Sequence, residues 1–196
     1  MRTRTAMTGL VAAACASVLL SPAPAAATQA PEAADVHCVI NAVTAKSTCY
    51  DTFRESIAAA TGGRVTDATQ EKAAKNNKFV DTLNTETATA RTPGSRAANN
   101  LLVVGILFEH MNYEGSSRVI YGLQQCRNDG EWDYTDSNLG RGLAFDNRVS
   151  SLQLRENCEG ELYSEINFGG TRQFYVRTTP WVGDAMNDQA SSIRLT

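Results

Sequence analysis

The fold of this chain is decided by the stretch Asp146-Asn147-Arg148-Val149-Ser150-Ser151, because a similar stretch returns at Asn187-Asp188-Gln189-Ala190-Ser191-Ser192. Each hexad has two adjacent Asx residues, two variable residues and a Ser-Ser pair. Each then runs into alternating apolar residues, which is typical of a strand with one buried face. Dense carboxylate, amide, hydroxyl and carbonyl oxygens are the donors that calcium prefers. The two hexads therefore predict two strand starts and a hard-cation site.

A second repeat precedes each hexad. The chain reads Phe108-Glu109-His110-Met111-Asn112-Tyr113-Glu114-Gly115 before the first and Tyr163-Ser164-Glu165-Ile166-Asn167-Phe168-Gly169-Gly170 before the second. Each copy has two aromatic residues separated by four residues, then one residue and a glycine. This spacing predicts a tight hairpin whose corner is filled by the rings, with glycine at a backbone angle that other residues avoid. One supersecondary unit used twice is therefore expected.

With these four motifs in order, the chain resembles the microbial βγ-crystallin family, in its secreted actinobacterial type. The resemblance implies a mainly β protein. It places a βγ-crystallin-like Greek-key β-sandwich at residues 100–196, with one key at about 104–155 and the other at about 160–196. It also implies two calcium ions between the keys, with ligands exchanged so that each site needs both hexads.

The resemblance assigns candidate ligands as well. One Asx side chain of each hexad, the carbonyl of its third residue and the hydroxyl of its fifth would bind the ion, together with one carbonyl from each aromatic hairpin. The candidates are Asp146, Asn147, Arg148, Ser150 and Met111 in the first key, and Asn187, Asp188, Gln189, Ser191 and Ile166 in the second. The last serine, Ser151 or Ser192, is expected to donate a structural hydrogen bond instead.

Which Asx of each pair binds metal is left open by the residues. The order is Asp-Asn in the first hexad and Asn-Asp in the second, so one key offers a carboxylate and the other an amide in either case. Inequivalent sites of modest affinity, on the order of 10⁻⁴ to 10⁻⁶ M, are expected. The alternative is that both hexads are only Asx and Ser turns that open strands.

Residues 1–27 have the pattern of a secretory signal peptide. Arg2 and Arg4 form a basic start, residues 9–20 form an apolar run too short to span a membrane, and Ala25-Ala26-Ala27 offers a cleavage site. A secreted protein without a membrane span is expected. Removing the two arginines changes the formal net charge from −3 to −5. A chain with this net negative charge lacks the excess of basic residues that is typical of nucleic-acid-binding proteins.

Four cysteines follow that segment, and an even number in a secreted chain indicates disulfides. Three connectivities are possible. We favour Cys38–Cys49 and Cys126–Cys158, because the two pairs lie in compositionally different halves. Residues 38–49 are expected to form a short loop. The absence of a Cys-x-x-Cys spacing favours a purely structural role.

The N-terminal region, residues 28–99, is expected to be partly helical. Asp51 or Thr52 can cap a helix over 51–60, and Thr52 with Glu55 fits a capping box. A second helix is expected from about 69 to 83, and residues 84–99 have the composition of a linker. Large apolar side chains are few. Three alternatives stay open for this region: packing on the sandwich, partial mobility, or removal as a pro-region.

Catalysis is not expected, because neither His37 nor His110 belongs to a recognisable catalytic motif. Two alternatives to calcium binding remain. One is a secreted protease inhibitor, of the metalloproteinase-inhibitor kind, or a killer-toxin-like protein on the same fold, which the long Cys-containing insertion of the first key keeps open. The other is a structural role with a cell-envelope component as partner. Trp181 is expected to fill the core or a corner.

Overall fold

The computed structural model describes residues 34–75, 79, 82–84, 101–141 and 145–196. The predicted signal peptide, residues 85–99 of the predicted linker and part of the predicted second helix lie outside these residues. Across the described chain, nine strands form two sheets. No helix in this part of the chain combines the length and apolar composition needed to cross a membrane.

The elements follow the repeats. The N-terminal region contains β1 (His37–Asn41), β2 (Ser47–Tyr50), α1 (Phe53–Ala60) and α2 (Gln70–Lys75). The first key contains β3 (Leu102–Phe108), a 3₁₀ turn (Met111–Tyr113), β4 (Ser117–Gly122), β5 (Tyr134–Asp136) and β6 (Ser151–Leu154). The second key contains β7 (Gly160–Tyr163), a 3₁₀ turn (Ile166–Phe168), β8 (Arg172–Tyr175) and β9 (Ser192–Leu195).

Each key places its third strand in the sheet of the other key. In the first key this strand is β5, which pairs antiparallel with β9 of the second key. In the second key it is reduced to Thr179, which forms a bridge with Leu152 in β6. The sheet orders are β2-β1-β4-β3-β6 and β5-β9-β7-β8. The C-terminal half is thus a Greek-key β-sandwich in a mainly β protein, and the predicted fold class is confirmed.

One hydrophobic core fills the space between the sheets. Leu152 and Leu154 of β6 belong to it, as do Ile193 and Leu195 of β9, and none is more than 5% exposed. Because successive side chains of a strand point to opposite faces, the alternation after each hexad sends these residues inward. The core-facing positions are therefore predicted correctly in both keys, but the expectation of one buried face is wrong for β6, whose Gln153 is also buried and donates to the Ala73 carbonyl at 3.0 Å.

The N-terminal region packs on the first key. β1 lies parallel to β4, with His37 opposite Ser117, and so covers the edge of that sheet. The outer face of the same sheet is covered by α1 and by five apolar residues that follow it, which form a second core together with Phe108 of β3: Val65, Ala68, Ala73, Phe79 and Leu83. Of the three alternatives for this region, its described residues adopt packing on the sandwich.

The local predictions for this region are partly right. Thr52 caps α1, since its hydroxyl accepts a hydrogen bond from the Glu55 N–H at 3.2 Å. The described residues of the predicted second helix are helical at Gln70–Lys75, at 79 and at 82–84, and the residues between them lie outside the described chain. The expected loop at 38–49 is wrong, because these residues form the β1–β2 hairpin.

Both favoured cysteine pairings are present. Cys38 and Cys49 join β1 to β2, whereas Cys126 and Cys158 join the insertion of the first key to the segment between the keys. Trp181 does not follow its expectation, since it is 45% exposed.

The substitution Phe53→Ala should lower the free energy of unfolding by about 3–5 kcal/mol, because it removes a buried ring and leaves a cavity. Phe53 is 4% exposed, and its ring centroid lies 6.0 Å from that of Phe108. Urea unfolding monitored by circular dichroism would measure the change. The matched control is Arg54→Ala at the adjacent exposed position, which should change the free energy by less than about 0.5 kcal/mol. If Phe53→Ala leaves the midpoint of the main unfolding transition unchanged, α1 unfolds independently of the sandwich.

Candidate metal centre

The two hexads lie side by side and are joined by reciprocal backbone hydrogen bonds. The Asn147 N–H donates to the Ala190 carbonyl at 2.9 Å, and the Asp188 N–H donates to the Val149 carbonyl at 3.2 Å. In both cases the second residue of one hexad donates to the fourth residue of the other. The hexads are therefore related by approximate twofold symmetry and face each other.

The second Asx of each hexad also meets the fifth residue of the other. Ser150 Oγ lies 3.4 Å from Asp188 Oδ1, and Ser191 Oγ lies 3.4 Å from Asn147 Oδ1. Asn147 and Asp188 have φ angles of 55° and 54°, in the left-handed region that Asn and Asp adopt more readily than most residues. Both Asx residues are exposed, whereas both serines are buried.

The first Asx of each pair has different surroundings. A Cβ atom added at Gly140 would lie 3.3 Å from Asp146 Cβ, so Asp146 packs beside the insertion of the first key. The Asn187 side-chain amide donates to Asp188 Oδ2 at 2.9 Å. The sequence leaves the choice between the two Asx positions open, and the fold places the second one, Asn147 or Asp188, against the opposite hexad.

The last serine of each hexad fastens an aromatic hairpin. Ser151 Oγ donates to the His110 carbonyl at 2.6 Å and accepts from the Tyr113 N–H at 3.0 Å. Ser192 Oγ makes the same two bonds to the second hairpin, also at 2.6 and 3.0 Å. The predicted structural role of these two serines is confirmed.

Met111 and Ile166 begin the two 3₁₀ turns that these serines hold. The N–H that follows Met111 donates to the Pro180 carbonyl at 2.9 Å, and the N–H that follows Ile166 donates to the Ser137 carbonyl at 2.8 Å. Each turn is thus tied to its own hexad and to the other key. The two candidate carbonyls consequently belong to turns that are held directly beside the hexads.

The third residues of the hexads differ in their side-chain contacts. Arg148 Nε donates to Glu109 Oε1 at 2.9 Å, which ties the first hexad to its hairpin. Burial alone would raise the pKa of Glu109, but hydrogen bonds from Arg148 and Ser116 outweigh it and hold this pKa below its ordinary value. The second hexad has Gln189 at this position, so the ionic tie is specific to the first key.

Sequence reasoning misses a buried ion pair beside the second hexad. Arg118 Nη2 of β4 lies 2.7 Å from Asp136 Oδ2 of β5, and the two side chains are 0% and 5% exposed. Arg118 also donates to the Leu139 carbonyl at 3.2 Å, and the Leu139 N–H donates to the Ser191 carbonyl at 2.8 Å. The pair therefore braces the loop that holds Ser191. No local pattern indicates it, because its partners lie in different sheets.

Among the described residues, no three His, Cys, Asp or Glu side chains come together as a metal-binding cluster. The oxygens gathered at the hexads are of other kinds: one Asx side chain and one hydroxyl at each crosswise pair, with main-chain carbonyls nearby. What the arrangement offers chemically is therefore two small groups of oxygen donors with at most one carboxylate in each pair.

With its exchanged third strands and paired hexads, the C-terminal half is a βγ-crystallin-like domain in fold. Solved structures similar to the chain include bacterial βγ-crystallin domains. That of Clostridium beijerinckii is 23% identical, with a TM-score of 0.37, covering 47% of this chain and 95% of that chain. That of Flavobacterium johnsoniae is 26% identical, with a TM-score of 0.35, covering 47% and 93%. No family model and no curated protein matches the sequence.

Replacing Ser151 or Ser192 by alanine should lower the free energy of unfolding by about 1–3 kcal/mol each, because a carbonyl and an N–H of the hairpin lose their hydrogen-bond partner. Both serines are fully buried. Chemical denaturation in the presence of a chelator would measure the loss without a contribution from metal. The control is Ser137→Ala, at a half-buried serine of the adjacent loop, which should change stability by less than about 0.5 kcal/mol. Losses no greater than that of the control would contradict the fastening role.

Proposed function

We propose that this protein is a secreted calcium-binding protein of the βγ-crystallin type, with two Ca²⁺ sites between its paired keys and a folded state that calcium stabilises. One observation carries the proposal. It is the crosswise approach of Ser150 to Asp188 and of Ser191 to Asn147, each with 3.4 Å between the two oxygens. Each pair takes one oxygen from each key, as a shared ligand set requires.

The length of these contacts supports calcium over a simple hydrogen bond. A serine hydroxyl that donates to a carboxylate usually lies about 2.5–2.7 Å from the acceptor oxygen. The observed 3.4 Å is too long for that bond. Two oxygens that each bind one calcium ion at about 2.3–2.6 Å, at right angles, are about 3.3–3.7 Å apart. The spacing of both pairs therefore suits two neighbouring ligands of one calcium ion.

Each site takes the remaining protein donors from the main chain. In the Asp188 site, the ligands are the side chains of Asp188 and Ser150 and the main-chain carbonyls of Gln189 and Met111. In the Asn147 site, the ligands are the side chains of Asn147 and Ser191 and the main-chain carbonyls of Arg148 and Ile166. Gln189 and Arg148 each follow the Asx ligand of the same site, whereas Met111 and Ile166 begin the turns that Ser151 and Ser192, the residues after the serine ligands, hold in place. The remaining Asx residues, Asp146 and Asn187, then shape the turns and do not bind the ion.

The two sites are inequivalent in this proposal. The Asp188 site has a carboxylate ligand, whereas the Asn147 site has an amide, and calcium affinity falls as the charge of the ligands falls. A calcium ion in either site would supply an electrostatic link between the two keys. Because an ion bound only to the folded state stabilises it, about 2.7 kcal/mol per site is expected at a calcium concentration of 100 times the dissociation constant.

Secretion rests on the sequence pattern of residues 1–27. The two cysteine pairings accord with it, since disulfides persist in oxidising compartments outside the cytosol. Extracellular calcium is abundant enough to fill sites with dissociation constants on the order of 10⁻⁴ M. Modest affinity and an extracellular location therefore support each other.

Calorimetric titration of the protein with calcium should detect two sites, and removal of one second-position side chain should abolish one of them. Asp188→Gly and Asn147→Gly are the suitable variants, because glycine accepts the positive φ of these positions without strain. Asp188→Gly should remove the tighter site and Asn147→Gly the weaker one. The matched controls, Asp146→Ala and Asn187→Ala, should keep both sites.

The melting temperature of the wild-type protein should rise in millimolar calcium relative to chelator, and the rise should shrink in Asp188→Gly. A melting curve that does not respond to calcium, together with a titration that shows no heat of binding, would reject the proposed function. Loss of a site in Asp146→Ala but not in Asn147→Gly would reject the assignment of the second Asx.

A further inference from the structure

Exposed apolar side chains surround the proposed calcium sites. Met111 is 51% exposed, Ile166 is 50% exposed and Trp181 is 45% exposed. They are three of the seven large hydrophobic residues exposed in the described part of the chain. We call them the rim residues.

The rim is built into the repeat. Met111 and Ile166 occupy the same position of the two aromatic motifs, so each key presents one apolar side chain from the turn whose carbonyl is proposed to bind calcium. Trp181 stands between Pro180, whose carbonyl accepts from the first turn, and Val182, whose N–H donates to the Ser150 carbonyl at 2.9 Å. All three rim residues therefore lie beside the hexads.

The charge of this end depends on the metal. Asp146 and Asp188 are exposed at the hexads, and Glu165 is exposed beside Ile166. Of the nearby cations, Arg148 is paired with Glu109, which leaves Arg141, in the loop that packs against Asp146, against three carboxylates. Without calcium this end is acidic and repels an anionic surface. Two calcium ions add four positive charges. Only the ion in the Asp188 site has a carboxylate ligand, which balances part of its charge. Calcium would thus reverse the sign of the charge around the rim residues.

The ligand count leaves room for an additional anion. Each proposed site has four oxygen donors from the protein, whereas calcium takes 6–8 oxygen ligands. Because Asn147 and Asp188 are both exposed, the two or more remaining ligands of each ion would come from solvent or from a bound partner. Phosphate oxygens are suitable hard donors for these positions. A ligand that combines phosphates with an apolar layer beneath would satisfy the calcium ions and the rim residues together.

We propose that the calcium-loaded protein docks through this end on an anionic phospholipid surface. Lipid phosphates complete the coordination of the two ions, and Met111, Ile166 and Trp181 enter the boundary between headgroups and acyl chains. Binding strength at such a boundary rises with buried apolar area and with electrostatic attraction to anionic lipids. This inference rests on the proposed calcium sites and adds the partner that they face.

Sedimentation with vesicles of phosphatidylglycerol and phosphatidylcholine tests the proposal. The full secreted chain should pellet with these vesicles in millimolar calcium and stay in solution with chelator, or with vesicles of phosphatidylcholine alone. The double variant Met111→Ser, Ile166→Ser should bind at least about tenfold more weakly, because two apolar side chains no longer enter the lipid. Leu123→Ser is the matched control at an equally exposed leucine, and it should bind as the wild type does.

Trp181 provides a direct reading of insertion. The chain has two tryptophans, so Trp132→Phe leaves Trp181 as the single fluorophore. Its emission should shift to shorter wavelength when anionic vesicles and calcium are both present, and it should not shift with inorganic phosphate in place of vesicles. A wild-type emission unchanged by vesicles would overturn insertion of the rim.

Calorimetric titration of the same proteins with calcium distinguishes a failure of lipid docking from a failure of calcium binding. Calcium binding without vesicle association would overturn docking and leave the calcium sites standing. Absence of calcium binding would overturn both. Pelleting with neutral vesicles as strong as with anionic ones, or calcium-dependent dimers in ultracentrifugation that the double rim variant abolishes, would also overturn docking on anionic lipid.

Discussion

The exchange of third strands between the two sheets is the constraint on which the rest of the C-terminal half depends. β5 leaves the first key to pair with β9, and Thr179 leaves the second key to bridge Leu152. The hexads follow these crossing segments, so they meet as a pair. The two serines at the end of each hexad have different roles. Ser151 and Ser192 donate hydrogen bonds to the aromatic hairpins. Ser150 and Ser191 lie against the second Asx of the opposite hexad. Fold and site therefore share the same residues, and both are built from contacts between the two keys.

The symmetric frame carries asymmetric additions. The first key receives a parallel strand at its edge and a helical layer over its outer face, whereas β8 has no strand beyond it within the described chain. Arg148 is paired with Glu109 in the first hexad, where the second has Gln189. The buried Arg118–Asp136 pair braces the loop beside Ser191 alone. Since a buried pair is costly to break one partner at a time, that loop is held in a single arrangement. The two oxygen clusters are thus unlike in ligand charge and in the stiffness of their supports.

Sequence periodicity predicts what is local and repeated. The alternation after each hexad places Leu152 and Ile193 in the core, and the Thr52 cap starts α1, because burial on one strand face and capping are decided by neighbours in the chain. The β1–β2 hairpin escapes prediction for the opposite reason. Its ordering comes from pairing with β4, which lies about eighty residues further along the chain. The exposure of Trp181 is not predicted either. Its backbone neighbours, Pro180 and Val182, are fixed by hydrogen bonds, and the exposure of its side chain then depends on which residues of other segments pack beside it.

By itself, the sequence determined the duplicated unit and indicated the mainly β class, and it favoured the two cysteine pairings that the structure contains. The duplicated unit follows from residue types at fixed short spacings, the mainly β class from the resemblance that those motifs carry, and the cysteine pairings from the different composition of the two halves. Only the tertiary structure decided that Asn147 and Asp188, and not Asp146 and Asn187, stand against the opposite serines. It also decided that Arg118 finds Asp136 and that the N-terminal region covers the first key. The physical reason is that adjacent Asx residues have the same chemistry, and only the left-handed turn at the second one, imposed by the packed hexads, turns its side chain toward the other key.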